Sequence, residues 1–236
     1  MPSLPKMTVP YLSIVNISAL VISFALIVLS IVTIVFTVQA IDHDFSSGST
    51  WYFKPTTDVD HHKIQIKWDF LTENLIIAAA SLALVAGSAA VTEQFVATRN
   101  SKIPKIFKDS ISTFFPAVVF VFSAIAIIVT SVRRAEMAEW TCKIQLANWS
   151  PFTRFHCTRE LGVCEILEAP FNFYMKGIPV METCAQLKRS RAMLIPLLVI
   201  SALLLVSGMA RTFFAGRKAA DVSAEERVET LQRAEE

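Results

Sequence analysis

The spacing of four cysteines limits which chemistry they can perform. They are Cys142, Cys157, Cys164 and Cys184, with 14, 6 and 19 residues between successive members. A structural zinc site normally places its ligands in tighter pairs, and a thiol redox centre uses a Cys-x-x-Cys motif. His156 stands beside Cys157, but no second histidine follows at ligand spacing. The pattern therefore favours two disulfide bonds over a metal or redox site.

The spacing leaves all three pairings of these cysteines open. A bond between Cys157 and Cys164 would close a small lobe around Gly162, and a bond between Cys142 and Cys184 would then close the neck of the loop. Each bond is expected to stabilise such a lobe by about 2–4 kcal/mol.

A second cluster is rich in histidine and aspartate. The motifs DHD at 42–44 and DVDHH at 58–62 hold three of the four histidines of the chain. Such residues at short spacing can bind a divalent metal, and His61 and His62 can respond to pH. Because the spacing fixes neither a ligand number nor a geometry, we predict a solvated acidic turn with no metal or cofactor. A lipid-directed enzyme using Asp58, His61 and His62 stays as an alternative.

Four apolar stretches must position these loops. They cover about residues 11–41, 75–91, 111–132 and 192–210, in a chain that is 53% hydrophobic and 18% charged. Each reaches or approaches the ~20 residues that cross a bilayer, and a segment in lipid must satisfy its own backbone as a helix. We therefore predict an all-α membrane protein. Its core is a four-transmembrane-helix bundle, topped by a small disulfide-braced outer region with a short β-hairpin or sheet.

The predicted organisation alternates helices and loops. In chain order it comprises an N-terminal segment (1–10), a first membrane helix (11–41), a first outer loop (42–70), a second helix (71–98), an inner loop (99–110), a third helix (111–132), a second outer loop with all four cysteines (133–190), a fourth helix (191–215) and a tail (216–236). An even number of crossings places both termini on one side of the membrane.

Charge and cysteine placement predict which side that is. The short inner loop contains four cations, Arg99, Lys102, Lys105 and Lys108, and such density is typical of a cytoplasmic loop. The total Lys and Arg counts of the two sides are similar and do not decide the orientation. The cysteines and a weak glycosylation sequon at Asn148 share the second outer loop, which fits an oxidising compartment. We predict cytoplasmic termini, in the plasma membrane or the secretory pathway.

Small and polar residues recur along the first two apolar stretches. In the first, Asn16, Ser23, Ser30 and Thr37 lie seven residues apart, and Ala19, Thr33 and Ala40 follow three of them after three residues. In the second, Ala79, Ala83 and Gly87 lie four residues apart. Small residues mark helix–helix contacts in lipid, and a heptad repeat favours left-handed packing near +20°. We expect these two faces to meet; the alternative is that Ser and Ala are simply common in such helices.

The outer loops contain strand-like segments. Residues 63–70, KIQIKWDF, alternate apolar and polar side chains, and TWYFK at 50–54 has strand composition. We predict a hairpin from these two segments. The segment KIQLANW, at 143–149, repeats the first phrase and is expected beside it in one sheet, because a lone hairpin is marginal in water.

The number of helices, the short inner loop and the long cysteine-bearing second outer loop resemble the layout of tetraspanins over most of the chain. The Cys-Cys-Gly motif that tetraspanins carry in that loop is missing here. MARVEL-type proteins share the topology. Claudin-like proteins carry a Trp and a cysteine pair in the first outer loop, where this chain has Trp51 and Trp68 but no cysteine. The resemblance implies a tetraspan topology and transfers no functional residue.

The helix centres lack charged residues, which ion pathways and proton relays normally need. We therefore expect a non-enzymatic integral membrane protein that acts as a scaffold, membrane organiser or accessory subunit. Its expected partners are the lipid bilayer and other membrane proteins, and the formation of homo-oligomers is left open. A transporter or channel subunit with a Ser- and Thr-lined path is the alternative. With only six glycines and no glycine-rich loop, nothing indicates nucleotide or nucleic-acid binding.

Overall fold

The computed structural model describes residues 8–42, 50–53, 62–99, 105–140, 142, 152–167 and 180–213. In this part of the chain the elements are, in order, α1 (Thr8–Asp42), β1 (Thr50–Phe53), β2 (His62–Asp69), α2 (Leu71–Arg99), α3 (Lys105–Trp140), β3 (Phe152–Thr158), α4 (Arg159–Leu161), a π-helical turn (Gly162–Leu167), α5 (Val180–Ala192) and α6 (residues 194–213). The strands connect the ends of the long helices, so the sheet lies at one end of a helical bundle.

Four helical segments are long and apolar enough to cross a membrane: Asn16–Ile41, Leu71–Phe95, Thr113–Glu139 and Val180–Phe213. Large apolar side chains cover their outer surface, as Val21, Ile128 and Val206 show with 62% exposure each. Apolar surface of this extent on every helix fits contact with lipid. The prediction of four membrane helices is confirmed at this level, and the protein is membrane-embedded.

Two of the helices differ from the predicted segments. α3 continues past residue 132 to Trp140, because Arg133 to Glu139 are compatible with a helix once it has left the apolar layer. The last membrane segment begins with α5, which was predicted as loop up to residue 190, and only a turn at Met193 separates α5 from α6. Pro196 has no N–H to donate to the Ala192 carbonyl, which explains the break.

The core of the bundle follows a heptad pattern. On α1 the buried residues alternate between four- and three-residue steps: Ala19, Ser23, Leu26, Ser30, Thr33, Thr37 and Ala40. α6 has the same steps with Leu194, Leu197, Ser201 and Leu204, and Val119, Ser123 and Ala126 continue them on α3. These steps keep one face of each helix towards its neighbours along the whole span.

The predicted seam on α1 begins one turn later than expected. Ser23, Ser30 and Thr37 are fully buried, but the Asn16 side chain is exposed. The buried hydroxyls bond within their own helix: Ser23 Oγ donates to the Ala19 carbonyl at 2.7 Å and Ser30 Oγ donates to the Leu26 carbonyl at 2.6 Å. These residues therefore aid packing because they are small and their hydroxyls already have a hydrogen-bond acceptor. These hydrogen bonds do not link two helices.

The small-residue faces of α1 and α2 are in direct contact. Ala79 and Ala83 are fully buried, and Gly87 lies against Ser23 and Ile27 of α1. A Cβ added at Gly87 would stand 2.8 Å from Ile27 Cγ1 and 3.2 Å from the Ser23 carbonyl oxygen. The absence of a side chain at 87 is thus what permits the two backbones to approach.

A polar contact joins three helices at the end opposite the sheet. In the orientation of the Gln94 amide that satisfies both of its groups, its nitrogen donates to the Asn16 carbonyl oxygen at 3.1 Å. Its oxygen accepts from Arg211 Nη2 at 3.2 Å. Asn16, Gln94 and Arg211 belong to α1, α2 and α6, so Asn16 contributes to packing through its backbone.

The sheet combines strands from the segment between α1 and α2 with a strand from the segment between α3 and α5. β1 pairs with β2 in antiparallel register, with Trp51 opposite Ile64, which confirms the predicted hairpin. β2 pairs in parallel with β3, the segment Phe152–Thr158, with Ile66 opposite Phe155 and Trp68 opposite Cys157. The third strand thus includes the His156–Cys157 pair. Residues 143–149, which were expected beside β2, lie outside the described residues.

We expect Gly87→Leu to lower the free energy of unfolding by about 1–3 kcal/mol, because the new side chain must displace α1. Ser88→Leu is the matched control, since Ser88 faces outward on the next position of the same helix. The measurement is the fraction unfolded against the mole fraction of denaturing detergent in mixed micelles. Equal midpoints for the two variants would contradict the close α1–α2 contact.

Candidate functional site

The sheet, α4, the π-helical turn and α5 form one unit, here called the cap (residues 50–53, 62–69, 152–167 and 180–192). Only Phe70 separates β2 from α2. Asp69 Oδ1 accepts a hydrogen bond from the Leu71 N–H at 3.0 Å, and the Phe70 carbonyl accepts from the Asn74 N–H at 3.0 Å. The strand therefore passes into the membrane helix without a flexible linker.

One face of the sheet closes the cap core. Ile66, Trp68, Phe155 and Cys157 are all buried, while Lys67 and His156, which are paired on the other face, are exposed. The buried face packs against the other elements of the cap and the ends of α1 and α3, through Leu161, Val163, Val180, Leu187, Ala40 and Met137. Alternation along the strands produces this division, since successive side chains point to opposite faces.

Gly162 allows the π-helical turn to reach the sheet. A Cβ at this position would overlap the Trp68 ring. Just before it, Thr158 caps α4, as its Oγ1 accepts from the Leu161 N–H at 3.4 Å. The segment from Thr158 to Gly162 is thus shaped to place α4 beneath the indole.

One disulfide bond connects the cap to the end of α3, and a second lies within the cap. Cys142 bonds to Cys157, joining the end of α3 to β3, and Cys164 bonds to Cys184, joining the π-helical turn to α5. The Cys142 N–H also donates to the Met137 carbonyl at 2.7 Å, a 6→1 bond that closes the C-terminus of α3. β3 is thereby held to the end of α3, and the π-helical turn is held to α5.

The pairing differs from the small lobe considered from the sequence. Cys157 and Cys164 do not bond to each other, because Cys157 lies in a strand beside α3 and Cys164 follows in a turn beside α5. The two cysteines of the stretch from His156 to Cys164 therefore belong to different disulfide bonds. His156 is exposed on β3 and is not part of a metal site among the described residues.

A network of ion pairs lies beneath the sheet. The Glu160 side chain is only 6% exposed and stands between two arginines: Arg134 Nε on α3 is 3.4 Å from Glu160 Oε1, and Arg191 Nη1 on α5 is 3.2 Å from Glu160 Oε2. Arg134 Nη2 also lies 3.7 Å from Glu165 Oε1, whose side chain is 49% exposed. Glu160 therefore ties α3 to α5 through α4.

A second buried pair of opposite charges sits beside the first. Arg159 is 3% exposed, its guanidinium carbon lies 5.3 Å from the centre of the Phe70 ring, and Glu73 of α2 interacts with it electrostatically. Burial lowers the pKa of Arg159 below its ordinary value, and the charge of Glu73 opposes that shift. An arginine nevertheless stays protonated in a protein, so Arg159 places a positive charge beside Glu73 at the start of α2.

Sequence reasoning did not find these charges. Glu73 stands in the first turn of a helix, where an acidic residue is normally solvated and favoured by the helix dipole. Arg134 and Glu160 fall in segments predicted as loop. Their only signal is the run Arg159-Glu160 between two cysteines, and that run is equally compatible with an exposed turn.

Several sequence candidates cannot be placed. The glycosylation candidate Asn148, and Asp58 and His61 of the histidine cluster, lie outside the described residues. Within the described residues, no group of three or more His, Cys, Asp or Glu side chains comes close enough to hold a metal ion.

Comparisons with protein-family models, with curated proteins and with solved structures found no match for this chain. The four long apolar helices agree with a tetraspan architecture. The narrower resemblance to tetraspanins or MARVEL proteins remains a sequence-based expectation.

Peptide mapping tests the disulfide pairing directly, because trypsin places each cysteine in its own peptide. Without reduction, peptide 135–143 is expected joined to 155–159, and 160–176 joined to 177–188, by mass spectrometry. A fragment that joins 155–159 to 160–176 would contradict the fold of the cap. The reduced digest is the control.

We expect Glu160→Gln to lower the free energy of unfolding by about 2–4 kcal/mol, because Arg191 loses its buried counter-charge and Arg134 keeps only the half-exposed Glu165. Glu165→Gln removes a carboxylate from the same Arg134 but at a half-exposed site, so its effect is expected below about 1 kcal/mol. The thermal unfolding midpoint in detergent measures both. A similar loss for the two variants would show that burial of Glu160 does not matter.

Proposed function

We propose that this protein is a non-enzymatic membrane scaffold or accessory subunit that presents the cap to other proteins at one face of the membrane. The observation that carries this proposal is the attachment of the cap to the bundle. β2 enters α2 through one residue, one disulfide bond holds β3 to the end of α3, and Glu160 of the cap pairs with Arg134 of α3. A surface fixed this firmly is preorganised, which lowers the cost of ordering on binding.

The packing of the bundle supports a scaffold over the alternative of a transporter or channel subunit. A Ser- and Thr-lined path needs hydroxyls that face water or a passing solute. Here Thr33 and Thr37 are fully buried, and their hydroxyls donate to the carbonyls of Leu29 and Thr33, at 2.7 and 2.8 Å. Leucine and alanine side chains of α1, α2, α3 and α6 fill the space between them.

We propose cytoplasmic termini and a cap that faces the cell exterior or a secretory lumen. Two disulfide bonds support this orientation, since such bonds persist in oxidising compartments. The tetraspan layout belongs to the same proposal, with the cap as an outer module that differs from tetraspanins in lacking the Cys-Cys-Gly motif.

Site-specific photo-crosslinking tests the scaffold role in native membranes. A benzophenone side chain is placed at Met181, which is 67% exposed on α5 of the cap, or at Val199, which is 51% exposed in the middle of α6. We expect protein adducts of discrete mass from position 181, because the cap is the proposed contact surface. Position 199 is the matched control and is expected to label lipid.

Absence of protein adducts from position 181, with chains of 26.2 kDa as the sole species in native nanodiscs, would reject the scaffold role. Flux of ions or small solutes through liposomes that contain the purified chain would favour the transporter alternative. A flux that persists in Gly87→Leu protein would locate such a path away from the α1–α2 contact.

A further inference from the structure

A groove of about 510 Å³ opens between α3 and the junction of α5 with α6. Its α3 wall consists of Ile127, Thr130, Ser131, Arg134, Ala135 and Ala138. Glu165 and residues 188, 191, 192, 194 and 195 complete it. The volume lies within the range of small-molecule sites in proteins.

The groove changes character along its length. At the cap end stand Arg134, Lys188, Arg191 and Glu165, while Ile127, Leu194 and Ile195 line the opposite end. The small residues Ser131, Ala135 and Ala138 keep the α3 wall between them low. A charged end followed by an apolar end matches a lipid, which has a polar headgroup and an apolar acyl chain.

At the charged end of the groove, one cationic side chain is not in an ion pair within the described part of the chain. Glu160 pairs with Arg134 and Arg191, and Glu165 pairs with Arg134, so both arginines already contact carboxylates. Lys188 is exposed and has no ion pair within the described part of the chain. Three cations and two carboxylates leave a net charge of +1, which suits a singly charged phosphate diester.

The position of the groove along the membrane normal also suits a lipid. From Ile127 to Ala138 the α3 wall rises about 16 Å, at 1.5 Å per residue. The last span, Val180–Phe213, is longer than the ~20 residues that cross the hydrocarbon, so its first turns, with Lys188, Arg189 and Arg191, extend beyond that layer. The boundary between headgroups and acyl chains therefore falls within the groove.

We propose that this groove binds one anionic glycerophospholipid from the leaflet on the cap side. The phosphate sits at Lys188, between Arg134 and Arg191, and an acyl chain follows Ile127 and Ile195 into the bilayer. Such a lipid neutralises the unpaired charge and fills the groove between α3 and the junction of α5 with α6. This site adds a lipid ligand and does not depend on the scaffold role.

Lipid titration by native mass spectrometry tests the site on the full chain in mild detergent. The probes are phosphatidylglycerol, diacylglycerol as the same lipid body without phosphate, and inorganic phosphate as a competitor. We expect one saturable phosphatidylglycerol, little binding of diacylglycerol and no displacement by millimolar phosphate. Saturable binding of diacylglycerol, or displacement by phosphate alone, would overturn the assignment to an anionic lipid.

Two pairs of variants place the lipid in the groove. Lys188→Ala is expected to weaken phosphatidylglycerol binding about fivefold, while Arg189→Ala, which removes a cation outside the groove on the same helix, leaves it unchanged. Ala135→Trp fills the groove and is expected to abolish saturable binding, whereas Val132→Trp points a tryptophan outside it. Equal binding by both members of either pair would overturn the proposal. If Ala135→Trp lowers the unfolding midpoint, Ser131→Trp serves as the blocking variant.

Discussion

The burial of Glu160 between two arginines is the interaction on which the upper half of this structure depends. A carboxylate removed from water at the edge of a membrane must have its charge compensated, and Arg134 and Arg191 come from different helices. Through Glu160, these two contacts link α3 to α5. The interaction also leaves Lys188 outside the network, so the same constraint produces both the rigid cap and the charged end of the groove.

Covalent bonds and charge act on the same junctions. The Cys142–Cys157 bond holds β3 beside α3, and the Cys164–Cys184 bond holds the π-helical turn beside α5. Between these two bonds lies α4, which carries Arg159 and Glu160. The disulfides therefore restrict the positions that the buried charges can adopt, and the charges in turn satisfy the interior that the disulfides close. In the middle of the bundle, small residues and hydroxyls that bond within their own helix fill the seams.

Much of the fold was predictable because the bilayer simplifies the problem. Four apolar stretches had to be helices, and the small residues of α1 and α2 identified faces that do meet, with Gly87 against Ser23 and Ile27. The hairpin was predictable from alternation along residues 63–70. The third strand was not, because Phe152–Thr158 has no clear alternating pattern before its partner is known. The buried charges were also missed, since an isolated Glu or Arg near a helix end usually faces water.

The sequence by itself determined the number of membrane helices, the hairpin and the presence of two disulfide bonds among the four cysteines. These follow from local composition, since apolar length and residue alternation act within a single segment. Only the tertiary structure decided which cysteines pair, which charges are buried and where a groove remains. Those features depend on distances between segments far apart in the chain. Each is set by a residue that is close in space but distant in sequence, and the local sequence pattern does not identify that residue.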